Sequence, residues 1–362
     1  MTVTAPTGRV EIDQFGTTRD GVDVHRAVLT NARGCRVAIL SYGGVIQTLE
    51  VPDRAGALTN VALGFGSFGP YETDSPYFGA IIGRFANRIR NARFTLDGVE
   101  HVLDRNDEYG CVHGGATGFH ARVWTMTPTA DADGVGVRLE LLSPDGDNGF
   151  PGNLNVAVDY RLLDAADHLQ ITYRATTDAA TVVNLTGHSY LNLAGEGSGS
   201  VLDHLLQVDA DAYLPVDDAL VPTGEVATVA GTPFDFRTPH RIGERIRTSH
   251  AQLVAGRGYD HNFVLRANAE DELRRAARVE EPAGGRTLEV WTTEPGIDVY
   301  SGNFLDAGLV GTGGRIYRQG DAIALEPEHF TDSPNRPEFP STVLRPGEEY
   351  LSRTEYRFGV DG

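Results

Sequence analysis

Lysine is missing from this chain: all 31 basic residues are arginine. That excludes a Schiff-base lysine and a lysine-based phosphate cradle. Cysteine is nearly missing as well, with Cys35 and Cys111 76 positions apart and in no CxxC spacing. No cysteine metal site is therefore expected. A single disulfide is possible on count alone, but two reduced thiols in a cytoplasmic protein are the expectation. There is no basic run, and 31 arginines face 50 carboxylates for a net charge of −19. Nucleic acid and anionic membrane surfaces would repel such a chain. No apolar run is long enough to cross a bilayer as a helix, and the first residues carry no apolar core of a secretory signal. GxGxxG in a strand–helix context, GxxxxGK[ST], HExxH and GxSxG are all absent, so no nucleotide, zinc-protease or serine-hydrolase reading starts.

Turn formers are abundant, with 43 Gly and 18 Pro against two Met. That balance favours many short strands. Arg93–Leu96, Asp97-Gly98 and Val99–Leu103 read as a hairpin, because Asp-Gly supplies the positive φ angles of a type I′ turn. Val135, Val137, Leu139 and Leu141 alternate with polar residues. So do Val156, Val158, Tyr160 and Leu162, then Leu169, Ile171, Tyr173 and Ala175. Period two at this frequency predicts antiparallel sheets with one buried face. Leu288–Thr292 and Ile323–Leu325 add further strands. Asp271–Arg278 admits a short helix, but a hairpin of Ala277–Glu281 with Arg286–Thr292 is the expectation. Pro239–Ser249 has room for one or two helical turns. Trp124 and Trp291 read as core residues. The whole chain, 1–362, reads as a single all-β domain, a large antiparallel β-sandwich with few short helices.

Glu326-Pro327-Glu328-His329 with Asp332 is the densest ligand-like cluster, but acidic loops at strand ends are common and no metal is expected there. Asp145-Gly146-Asp147-Asn148-Gly149 resembles a calcium loop only at its start, since its twelfth position is Val156. The Asn184-Leu185-Thr186 sequon reads as accidental. What remains for chemistry is histidine with carboxylates, the components of general acid–base catalysis.

A series of polar segments carries a resemblance. In order they are Gly83–Ile89, His113-Gly114-Gly115, Asp145–Gly152, Asn184–Leu193, Pro222–Glu225, Thr232–Arg237, Gly258–Asn262, Tyr300–Leu305 and Leu325-Glu326. Over about Gly34 to Phe358 the sequence resembles the aldose 1-epimerases, or galactose mutarotases. The resemblance implies a β-sandwich of the galactose mutarotase-like type and cofactor-free interconversion of the anomers of a free sugar. It makes Glu326 the general base and His188 the general acid, with His113 helping to position the ring oxygen. It makes Asn87, Arg88 and Asp260 sugar-binding residues. The implied partner is a small sugar, with no cofactor, and the protein is expected to be a monomer or homodimer.

Four positions depart from the family's pattern. Asp298 stands where Gln is common ahead of the Tyr300 segment, and Glu328 replaces Gln two places after the base. Gly187 replaces Asn, and Leu191 replaces Phe. Asp298 enters the sugar-contact shell on this reading. An ionised Asp only accepts hydrogen bonds, whereas Gln also donates. If Asp260, Asp298, Glu326 and Glu328 share one pocket, their repulsion should raise at least one pKa. The implied chemistry takes the proton from the anomeric hydroxyl with a carboxylate. It gives one to the ring oxygen from an imidazolium on the opposite side of the sugar.

Overall fold

The computed structural model describes residues 2–4, 8–267 and 272–361. Three antiparallel sheets dominate it. An N-terminal sheet of six strands runs in chain order from Thr2–Thr4 to Leu58–Asn60. A nine-stranded sheet begins at its edge with Thr125–Ala130, Gly134–Ser143, Leu154–Leu163 and His168–Thr177. It continues through Tyr350–Val360, Arg286–Thr292, Arg274–Glu280, Leu205–Val208 and His240–Arg241. The third sheet, of six strands, has the order Tyr190–Leu191, Ile323–Glu328, Gly296–Tyr300, Asp260–Leu265, Ala210–Tyr213 and Ala227–Thr228. The two α-helices among the described residues, Gly69–Thr73 and Ala251–Ala255, are each a little over one turn long.

Sequence alternation builds these sheets. Val135, Val137, Leu139, Val156, Val158, Tyr160, Leu169, Ile171 and Tyr173 are all buried in one apolar core. That core also takes Leu29, Val37 and Ile39 from the N-terminal sheet and Ile297, Val299 and Leu325 from the third. Burying each such side chain contributes about 1.5–3 kcal/mol. The Asp97-Gly98 turn forms as the sequence predicts, with φ of 50° and 81°. The Arg274–Glu280 strand pairs with Arg286–Thr292, so the hairpin reading holds over the helix. Asp271, where that helix would start, lies outside the described residues. In Pro239–Ser249 a single 3-10 turn forms, Ile242–Glu244. Trp124 is core, but Trp291 is not: it lies half-buried under the Arg357 guanidinium, 4.1 Å from its ring centroid. Its strand neighbours Val290 and Thr292 take the buried face, which turns residue 291 outward.

The third sheet differs from ordinary half-buried sheets because both its faces are covered. Every residue of Ile323–Glu328 and of Gly296–Tyr300 is buried. One face, carrying Ile297, Val299 and Leu325, joins the main core. The other presents a polar array that the register fixes. Asn262 lies opposite Asp298, and Asp298 opposite Glu326. Asp260 lies opposite Tyr300, Tyr300 opposite Ala324, and Ala324 opposite Tyr190. Glu328, two residues after Glu326, shares its face.

Candidate active site

That polar face floors a cavity of about 190 Å³. Asn87, Arg88, His113, His188, Asp260, Asp298 and Glu326 all line it, so the residues the resemblance makes catalytic or sugar-binding converge there with Asp298. Glu326 and Asp298 enter from adjacent strands. His188 follows the short strand Thr186–Gly187, which pairs with Ile81–Ile82. Its backbone is held on both sides, donating to Ala80 O and accepting from Gly79 N at 2.9 Å each. His188 Nε2 lies 3.5 Å from Glu326 Oε1. The two therefore stand side by side rather than across the width of a sugar ring.

His188 is packed between aromatic rings. Tyr190 stacks on it at 4.9 Å and Tyr77 at 5.8 Å. This burial pushes the imidazole down to about 3. Burial also pushes Glu326 well above the usual carboxylate range, helped by Glu328, Asp298 and Asp260. The sequence reading has an imidazolium and a carboxylate on opposite sides of the sugar, but here they are neighbours, and burial disfavours the charged form of each. The physical reason is the cost of holding two charges in a desolvated pocket.

The Gly83–Ile89 segment splits its work. Arg84 is buried and points away from the cavity, donating to Ser143 O, Pro151 O and Gly152 O at 2.7–3.1 Å. It thereby clamps the Asp145–Gly152 turn, in which Asp145 Oδ1 accepts from Gly152 N. That segment is a structural turn, not a calcium loop. Asn87 adopts φ 61° and donates through Nδ2 to Asp298 Oδ2 at 3.0 Å and Glu328 Oε1 at 3.2 Å. Its Oδ1 accepts from Arg88 N at 3.0 Å. Arg88 reaches Asp260 at 4.0 Å. His113 Nδ1 accepts from Asn87 N at 3.2 Å, so a neutral His113 carries its proton on Nε2. Burial and the neighbouring His188 and Arg88 keep His113 well below its ordinary value.

Four carboxylates do crowd together, as the sequence suggests. Asp298 is pushed up to about 8 by burial and by Asp260. Glu328 is raised well above its usual range by burial and by Asp298, and Asp260 is raised by burial. The ligand-like cluster at Glu326–Asp332 disperses. His329 turns away and pairs with Glu294 at 2.6 Å, while Asp332 Oδ1 accepts from Arg90 N and Asn335 Nδ2. Among the described residues no group of three ligand-type side chains could hold a metal ion. The sequon residue Asn184 is fully buried and bonded to His329, which removes it as a glycosylation site. His261, adjacent to Asp260, faces the core and contacts Phe234 at 4.7 Å.

Sequence reasoning missed Tyr77, which lies against His113, His120 and His188 and adopts φ 67°. It picked out the Tyr300–Leu305 segment but gave no role to Tyr300 or to the half-exposed Phe304, both of which line the cavity. Phe304 stacks on Tyr300 at 6.1 Å.

Residues 25–357 match the family model described as Aldose 1-epimerase. The chain belongs to the aldose 1-epimerase family. Its similarity to individual members is extensive. Galactose mutarotase from Homo sapiens is 46% identical over 325 residues, covering 90% of this chain and 91% of that one. Aldose 1-epimerase from Escherichia coli (strain K12) is 41% identical over 341 residues, covering 94% and 96%. Among solved structures, galactose 1-epimerase from Lactobacillus acidophilus NCFM superposes with a TM-score of 0.86 at 29% identity. That superposition covers 98% of this chain and 99% of the other. The aldose epimerase homologue from C. elegans gives 0.83 at 30% identity, covering 92% and 98%. The all-β sandwich expected of an aldose 1-epimerase is the fold found.

Proposed function

We propose that this aldose 1-epimerase family member interconverts the α and β anomers of a free aldose by opening and reclosing the ring, with Glu326 as base and His188 as acid. The observation that carries the reading is the 3.5 Å separation of Glu326 Oε1 and His188 Nε2 in a buried, sugar-sized cavity. The anomeric hydroxyl and the ring oxygen sit on one carbon, so the groups serving them must be close neighbours. Glu326 takes the hydroxyl proton while His188 protonates the ring oxygen. The aldehyde then rotates about C1–C2, and closure on the other face reverses both transfers.

The pair's proton count is unchanged by ring opening. A carboxylate and an imidazolium become a carboxylic acid and an imidazole. The latter is the form burial favours, and it is the form the pair holds beside the open-chain aldehyde, the intermediate between the ring-opening and ring-closing barriers. His113 Nε2–H serves as a donor to the ring-oxygen side, and Asp260, Arg88, Asn87 and Asp298 serve hydroxyls. Only protons move, so the reaction as proposed needs no metal or nucleotide. Two buried, unpaired thiols at Cys35 and Cys111 fit a reducing, cytoplasmic setting. Polarimetry on freshly dissolved α-aldoses tests the reading, with exhaustive chelation as a control that should leave the rate unchanged.

A further inference from the structure

Hydrogen-bond acceptors outnumber donors beside Glu326. Asn87 Nδ2 is shared between Asp298 Oδ2 and Glu328 Oε1, and Asn262 Nδ2 adds a bond to Glu328 Oε1 at 3.3 Å. Three buried oxygens in this group keep no donor: Asp298 Oδ1, Glu328 Oε2 and Asn262 Oδ1. Asp298 is 4% exposed and lines the cavity. Among the described residues lining that cavity, Arg88 is the one arginine, and it faces Asp260. Buried acceptors without donors, and carboxylates without counter-charges, are both costly. Burial and the Asp260 charge push the Asp298 carboxyl up to about 8, outweighing the Arg88 charge and the Asn87 bond.

We infer that this end of the cavity receives a cationic group, and that the preferred substrate is a 2-amino-2-deoxy aldose whose ammonium sits against Asp298. The inference rests on the proposed reading that Glu326 meets the anomeric hydroxyl. Asp298 is directly opposite Glu326 across two paired strands. Side chains so placed lie about 5 Å apart at Cβ. The anomeric carbon has two ring neighbours. The ring oxygen faces His188, which leaves C2 as the neighbour on the Asp298 side. A C2 hydroxyl offers one donor; an ammonium offers three and the missing positive charge. The two groups are nearly the same size, so no space need be made.

The test compares galactose and glucose with their 2-amino-2-deoxy counterparts, at a mildly acidic pH where the amine is charged. Calorimetry gives Kd and polarimetry gives kcat/KM, for wild type, Asp298→Asn and Asp298→Gln. The expected result is that wild type favours each amino sugar over its parent by roughly tenfold or more. Either neutral variant should erase that preference. Amino sugars bound and turned over no better than their parents by wild type would overturn the inference, whether or not the variants fold. A preference that survives in a folded variant would equally overturn Asp298 as its seat. Absence of turnover on every sugar, with the binding preference intact, would instead sink the mutarotase reading and leave the amino-sugar site standing.

Discussion

Glu326 Oε1 lies 3.5 Å from His188 Nε2, and both side chains are about 95% buried. On the proposed mechanism the two groups work as one unit that carries a single proton. The consequences of that relationship are open to measurement.

Removing either member should stop the reaction without unfolding the protein. Glu326→Gln and His188→Asn should each lower kcat by roughly 10²–10⁴-fold. The double variant should be little worse than either single one, because the two transfers are concerted. Circular dichroism checks the fold and polarimetry the rate. Losses that simply add would mean the residues act independently.

The pH profile of kcat/KM reports the free enzyme. The pair gains a second proton when His188 protonates, which burial has pushed down to about 3. It loses its single proton when Glu326 ionises, which burial and three carboxylate neighbours have pushed up. Activity should therefore persist below the ordinary Glu value of 4.5 and fall on the alkaline side. Asp298→Gln removes one repelling charge, lowers the Glu326 pKa and should move the alkaline limb to lower pH. A wild-type acid limb at the ordinary Glu value, unmoved in the variant, would contradict this.

Asp298 should also cost stability in a pH-dependent way. Its carboxyl is raised from 3.8 to about 8 on folding. Between those values the folded protein keeps a proton that the unfolded chain has released, so stability falls as pH rises through the window. Asp298→Asn should raise Tm by a few degrees, and by more at pH 8 than at pH 5. Glu328→Gln should act in the same direction. Equal shifts at both pH values would show that the carboxylates are not strained by burial.

Much of the fold was legible because its signals are local. The Asp97-Gly98 turn and the alternation from Val135 onward need no distant partner to be read. The site was legible in its membership but not in its arrangement. That Asp298 faces Glu326 depends on the pairing of strands Gly296–Tyr300 and Ile323–Glu328, which no local pattern specifies. The Glu326–His329 cluster misleads for the same reason: His329 finds Glu294 on the far side of its strand. Tyr77 joins the site through a loop conformation at φ 67° that its own residue type disfavours. The burial that pushes His188 down and Glu326 up is displayed by no sequence motif.

Gly258 supports the site from outside. It adopts φ 145°, and a Cβ there would come within 2.3 Å of Asn303 Oδ1 and 2.8 Å of Ser301 Oγ. Asn303 Nδ2 holds the Gly256 and Tyr259 carbonyls at 2.6 and 2.8 Å, just before Asp260. Gly258→Ala should cost about 1–3 kcal/mol and displace Asp260. A lower Tm with a raised KM is the expected pairing. An unchanged KM would show that Asp260 is positioned by its strand alone.

The central claim is tested most directly by following the optical rotation of freshly dissolved α-galactose and α-glucose, with their 2-amino-2-deoxy counterparts, at catalytic protein concentration. Acceleration toward the equilibrium rotation by wild type, lost in Glu326→Gln, is the predicted result. Spontaneous rates with every sugar, or full acceleration by the Glu326→Gln protein, would contradict the account.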